Sequence, residues 1–149
     1  MTVQSICNPN VATIDGEADV AQAAVLMRQE HVGDLIVTEQ RDGATWPVGV
    51  ITDRDIVVEI VAKGVEPSAV RVGDTIKRAL VSVGENNGIE FALRQMRHSG
   101  VRRVPVVDTE GRLVGVLSID DVIDHLATQL GHVAGTIRFQ QHVEAKQLP

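Results

Sequence analysis

Two segments of this chain are copies of one another, and a fold built twice from one unit constrains the architecture more than any other feature. The stretch VAQAAVLMRQEHV, residues 20–32, lies over IEFALRQMRHSGV, residues 89–101, at an offset of 69 residues. Met27 and Arg28 fall on Met96 and Arg97, and Ala23 falls on Ala92. Val20, Ala23, Ala24 and Met27, like Ile89, Ala92, Leu93 and Met96, follow i, i+3, i+4, i+7 spacing, which predicts an amphipathic helix in each copy. A strand-like piece precedes each helix (NVATI, ALVSV) and a strand candidate follows it (DLIVTE, RVPVVD). The Gly-containing turns QRDGATWP and TEGRL then lead into VGVIT and LVGVLS. Here the offset is 66, so the first turn holds three extra residues.

Each unit therefore reads strand, helix, strand, strand, helix. In the last helix the expected buried face is Ile56, Val57, Ile60 and Val61, and then Val122, Ile123, Leu126 and Ala127. Val3 and Ser5 fall over Val72 and Asp74, with Ser5 and Asp74 as expected N-caps of a short turn. The boundaries are residues 1–63 for the first repeat, 64–71 for a linker marked by Gly64 and Pro67, 72–130 for the second repeat, and 131–149 for a tail. The tail carries Val133, Ile137 and Val143 and is expected to be partly helical, against the poor helix propensity of Gly131 and Gly135. A unit this small buries too little surface alone, so the two copies should pack together as an α+β fold.

The 149 residues include 44% hydrophobic but only 2% aromatic ones, so the core must be aliphatic. Trp46, Phe91 and Phe139 leave almost no stacking platform for single-stranded nucleic acid. A net charge of −6 argues against DNA or an anionic membrane as partner. No apolar run approaches the roughly 20 residues that span a bilayer. The opening MTVQSICNPN lacks the regions of a secretory signal, and Cys7 has no second cysteine to pair with. The expected location is the cytoplasm.

In both copies Gly, two aliphatic residues, Thr or Ser, and Asp recur at a strand-to-helix join: GVITDRD from Gly49 and GVLSIDD from Gly115. With the repeated unit and VRRVPVVD before the final hairpin, the chain resembles the tandem CBS-domain pair, or Bateman module, from Val3 to Leu130. That resemblance implies two βαββα repeats packed with pseudo-two-fold symmetry. It implies an adenosyl ligand (AMP, ADP, ATP or S-adenosylmethionine) in a cleft between them, and a disc-shaped homodimer. Most members are regulatory attachments to enzymes, channels or transporters, and the chain resembles the stand-alone bacterial type, whose roles are often unassigned.

Two roles compete at the repeated join. Helix-start N–H groups attract anions, the hydroxyl of Thr52 or Ser118 can bond phosphate, and the carboxylate of Asp55 or Asp121 suits ribose hydroxyls. The same spacing is nearly a capping box, with Asp53 and Asp120 also favoured at a helix start. In resembling family members, basic residues just before the Pro-containing strand grip phosphate. The matching residues are Arg102 and Arg103, ahead of Val104 and Pro105, and the first repeat has Gly33 and Asp34 there. Two unequal clefts are therefore expected, with the arginines giving one of them positive charge. Ile14, Leu35, Val83 and Val104 are candidates for an adenine slot, with Thr13 and Ser82 nearby. His125 and His132 lack a third ligand at zinc spacing, and no nucleophile–base or paired-carboxylate arrangement can be traced. The reading is a non-enzymatic nucleotide sensor, with a scaffold that binds no nucleotide as the alternative. Trp46 and Pro47 are placed in the longer hairpin loop, against a hydrophobic edge or a partner.

Overall fold

The computed structural model describes residues 1–148. The first repeat comprises β1 (Thr13–Asp15), α1 (Val20–Glu30), β2 (Asp34–Arg41), β3 (Ala44–Thr52) and α2 (Asp53–Asp55). The last of these runs directly into a π-helical segment, Ile56–Val61. The second repeat comprises β4 (Val83–Gly84), α3 (Ile89–Ser99), β5 (Arg103–Val107), β6 (Leu113–Ser118) and α4 (Ile119–Gln147). Each repeat is a βαββα unit with its own three-stranded sheet, in orders β1-β2-β3 and β4-β5-β6. In both sheets the first pair is parallel, across the helix, and the second is an antiparallel hairpin.

The helices start and stop for local reasons. Asp19 caps α1 in a reciprocal box with Gln22. The equivalent helices α1 and α3 end on left-handed residues, His31 and Gly100, which lie 69 positions apart. The apolar stripe of each packs on its sheet. One core gathers Val20, Met27, Leu35 and Ile51 with their neighbours, and the other gathers Ala92, Met96, Val104 and Leu117.

The lead-in segments are exchanged. Val3 is wholly buried in the core of the second repeat, with its N–H on the Asn87 carbonyl at 2.8 Å. Val72 is wholly buried in the core of the first, with its N–H on the Ala18 carbonyl at 2.8 Å. Neither Ser5 nor Asp74 is an N-cap: both lie inside 3-10 turns, Val3–Ser5 and Val72–Thr75. The Ser5 hydroxyl donates to the Thr2 carbonyl instead.

Two further expectations are corrected. The first hairpin turns on Asp42 and Gly43 alone, both at positive φ (51° and 76°), the geometry whose twist suits paired strands. Trp46 and Pro47 therefore lie within β3, and Pro47 sits opposite Thr38 at a register shift where its missing N–H is tolerated. Trp46 faces the other hairpin so closely that a Cβ on Gly111 would come within 2.9 Å of its ring. The buried stripe of the last helix in each repeat is also narrower than expected. Ile56, Ile60 and Val122 are buried, but Val57, Val61, Ile123, Leu126 and Ala127 face solvent. The final helix continues through Gly131 and Gly135 without a break for 29 residues.

Candidate functional site

The two strand-to-helix joins are built alike. The first N–H of α2 donates to the Gly33 carbonyl at 2.8 Å, and that of α4 to the Arg102 carbonyl at 2.8 Å. Asp55 N–H donates to the Thr52 hydroxyl at 3.1 Å, and Thr52 N–H donates to Asp55 Oδ2 at 2.9 Å. Asp121 N–H donates to the Ser118 hydroxyl at 3.1 Å, and Ser118 donates to Asp121 Oδ2 from both its N–H (2.8 Å) and its hydroxyl (2.6 Å). Both joins are capping boxes, and each box occupies one carboxylate oxygen. Among the described residues, Oδ1 of Asp55 and of Asp121 carries no hydrogen bond.

Two clefts lie between the repeats, of about 730 Å³ and about 1060 Å³. In the first, the lead-in residues 8–13 and Ile36 of the first repeat face Asp121 and Val116 of the second. In the second, the lead-in residues 77–81 and Val101 of the second repeat face Thr52, Asp55 and Val50 of the first. Allowing for the repeat offsets these are the same cleft twice. A capping carboxylate from one repeat faces an aliphatic lead-in from the other. Thr13 lines the first cleft; Ser118 and Arg102 line the second.

Ile14, Leu35, Val83, Val104 and Pro105 are buried in the cores and line neither cleft, and Ser82 lines neither. Strand alternation explains Ile14: it points inward, while Thr13 beside it faces the cleft. The apolar lining that the lead-ins contribute comes instead from Val11 and Ala12 in one cleft and Leu80 and Val81 in the other.

Arg103 and Asp34 are equivalent positions, 69 apart, and they meet. The guanidinium pairs with Asp34 Oδ1, and both residues line both clefts. This is what pseudo-two-fold packing does to residues near the axis: equivalents face each other. The expectation that the arginine pair charges one cleft alone is thereby corrected, because Arg103 is shared and already has a counter-ion. Burial pushes the Asp34 carboxyl up from its ordinary value, Arg103 opposes this, and nearby Asp53 adds to it.

The clefts are nonetheless unequal, through residues that the sequence reading passed over. Arg54, Lys77 and Arg78 join Arg102 and Arg103 around the second cleft and balance its carboxylates, Asp34, Asp53, Asp55, Glu59 and Asp120, whereas among the described residues Arg103 alone of the lysines and arginines lines the first, against Glu30, Asp34 and Asp121. The 69-residue offset sets Lys77 and Arg78 against Asn8 and Pro9, which is the signal that could have found them. Lys77 bonds Glu59 at 2.7 Å, and Lys63 and Lys77 together hold that carboxyl down to about 2. Arg102 lies 3.6 Å from Asp120. Among the described residues, Arg54 and Arg78 make no ion pair.

The sequence profile of the CBS domain matches residues 3–62 and 72–128. The chain belongs to the CBS-domain family. It is 33% identical over 125 residues to Hypoxic response protein 1 of Mycobacterium tuberculosis, covering 84% of this chain and 85% of that protein. The crystal structure of Hypoxic Response Protein I with two coordinated zinc ions superposes with a TM-score of 0.75 at 32% identity, over 84% of this chain and 98% of that one. An uncharacterized protein of Methanopyrus kandleri, MK0525, is 28% identical over 123 residues, and the CBS chain spans 83% of its own length but only 61% of that relative. The CBS domain protein PAE2072 of Pyrobaculum aerophilum, complexed with AMP, superposes with a TM-score of 0.73 at 25% identity, over 86% of this chain and 99% of that one. Among the described residues no cluster of three or more His, Cys, Asp or Glu could hold a metal ion, and no helix is long and apolar enough to cross a membrane.

Proposed function

We propose that this CBS pair is a cytoplasmic, non-enzymatic sensor that binds a phosphorylated adenosyl ligand in the second cleft and signals through a homodimer. AMP, ADP and ATP fit the reading better than S-adenosylmethionine, because Arg54 and Arg78 line that cleft without an ion-pair partner among the described residues and a phosphate would supply one. The carrying observation is the juxtaposition in that cleft of the free Asp55 Oδ1, a pair of aliphatic residues from the other repeat, and Arg54 and Arg78, which have no ion-pair partner among the described residues. Asp55 is the ribose acceptor in this reading, Leu80 and Val81 flank the base, and Arg54, Arg78 and Arg103 take phosphate by charge-assisted bonds. The first cleft, net acidic, binds the same ligand weakly or not at all. The AMP complex of PAE2072 supports the ligand class. The exposed Val57, Val58 and Ile123 are the surface through which two copies pair.

A thermal-shift series with adenosine, AMP, ADP, ATP and S-adenosylmethionine tests this. A nucleotide at 100 times its dissociation constant stabilises the fold by about 2.7 kcal/mol. Calorimetry is expected to give one tight site per chain. No shift with any adenosyl compound would favour the scaffold reading, in which the two capping boxes are the whole purpose of the repeated motif.

The axis pair makes a second test. Asp34→Asn removes the competitor for Arg103 and is expected to tighten AMP binding while leaving adenosine unchanged. Arg103→Ala is expected to weaken AMP by about tenfold or more, the worth of a charged hydrogen bond, and adenosine little. The same variant has a pH signature. A carboxyl whose folded-state pKa is raised stabilises the fold below the ordinary value of 3.8, and that contribution is lost as pH rises through the raised value. Without the guanidinium the raising is larger, so the thermal midpoint of Arg103→Ala should fall more than the parent's as pH rises through that window.

A further inference from the structure

The helix α4 outruns the family unit. The CBS match ends at residue 128, but the helix continues to Gln147. Along it Ile123, Leu126, Leu130, Val133 and Ile137 stand at alternating spacings of three and four residues. All are solvent-exposed, from 53% to 70%. This is the three-and-four spacing of a coiled-coil seam, kept for about two heptads. No charged residue interrupts the seam, Ala127 and Ala134 flank it, and Gly131 and Gly135 fall on the opposite side. A projecting stretch with two glycines and no packing is a marginal helix by itself.

We infer that this helix pairs antiparallel with the same helix of a second copy. Two features of the chain select that occupant and direction. First, the seam is self-complementary when reversed about a point between Leu130 and Val133. Leu130 then lies level with the second copy's Val133, and Leu126 with its Ile137, so apolar layers meet apolar layers twice over, while Ile123 meets Gln140 at each edge. Second, the charges run in opposite senses along the helix. Its start carries Asp120, Asp121 and Asp124, and its distal part carries Arg138 and Lys146 with the single acid Glu144. Reversal sets the acidic start of one copy beside the basic end of the other and opposes the two helix dipoles; a parallel pair would stack like on like. The seam is continuous with exposed Ile123, part of the dimer surface proposed above. The pairing names the contact and direction that the dimer reading leaves open and rests on that reading, while being independent of any ligand.

The test uses the full chain in a Cys7→Ser background. In an antiparallel pair the two copies of residue 126 are about 16 Å apart along the axis, 11 residues at 1.5 Å each, and so are the two copies of residue 137. Oxidised separately, Leu126→Cys and Ile137→Cys proteins should stay uncrosslinked. Refolded together and oxidised, they should form a covalent dimer containing one of each. Leu130→Asp/Val133→Asp, which touches no buried position, should raise the dimer dissociation constant by at least about tenfold by light scattering, with any loss of helical circular dichroism no larger than the stretch beyond residue 128 accounts for. Crosslinking of either single variant with itself would overturn the antiparallel direction. A parent dimer that the double aspartate variant leaves intact, without mixed crosslinks, overturns the α4 pairing alone. A monomeric parent at micromolar concentration overturns both this pairing and the dimer reading.

Discussion

An Asp55→Ala protein is expected to lose about 10- to 100-fold in affinity for AMP and for adenosine alike. The loss of a charged hydrogen bond is worth about 1.5–3 kcal/mol. Because the carboxylate would hold the sugar, which both ligands share, phosphate should make no difference to the size of the loss. This sets Asp55 apart from Arg103, whose removal should discriminate between them. Asp121→Ala provides the internal control. Its carboxylate occupies the same kind of capping box but opens on the net acidic first cleft, so the tight site should keep its affinity. Each variant also loses the carboxylate half of its capping box while the backbone N–H still donates to the cap hydroxyl, so binding is compared at a temperature well below both midpoints. Isothermal calorimetry reads the result. Equal losses in the two variants, or none in either, would mean that the carboxylates only cap.

The repeat was legible because its evidence is periodic: an aliphatic stripe and a Gly-aliphatic-hydroxyl-Asp join survive in both copies, and the element order follows from them. The capping boxes were legible too, since hydroxyl and carboxylate three residues apart can hardly do otherwise at a helix start. What one strand of text could not carry was the partner across space. Val3 and Val72 read as ordinary members of their own repeats, yet each fills the other repeat's core. Asp34 and Arg103 read as a substitution between equivalent sites, and only the pseudo-two-fold packing turns that substitution into an ion pair. Lys77 and Arg78 were passed over because their cleft is made by residues of both repeats. The eight-residue turn expected around Trp46 shrank because Asp42, not only Gly43, accepts positive φ, which lets the strands zip further.

The exchange of lead-ins carries the largest stability prediction. Leu117 has no exposed surface and lies in the second core on β6, one residue before the Ser118 box. Leu117→Ala is expected to cost about 2–5 kcal/mol, the transfer term plus that of a cavity the rigid sheet cannot close. In two repeats folded as separate cores, that loss would fall on the second alone. Here the second core contains Val3 from the first repeat's lead-in, and the first core contains Val72 from the second's. The two hairpins also touch, Trp46 against Gly111. Unfolding either repeat therefore strips a wholly buried valine from the other and removes both clefts. Neither is expected to survive alone. Scanning calorimetry of Leu117→Ala should show a single transition, displaced downward as a whole, with calorimetric and van't Hoff enthalpies equal when referred to the same unfolding unit, chain or dimer. Two transitions, one of them at the parent's midpoint, would show that the exchanged valines do not couple the repeats. A ligand held between the repeats is then the expected lever on the whole transition: it binds only where both halves are folded, so it should raise one midpoint and never split the peak.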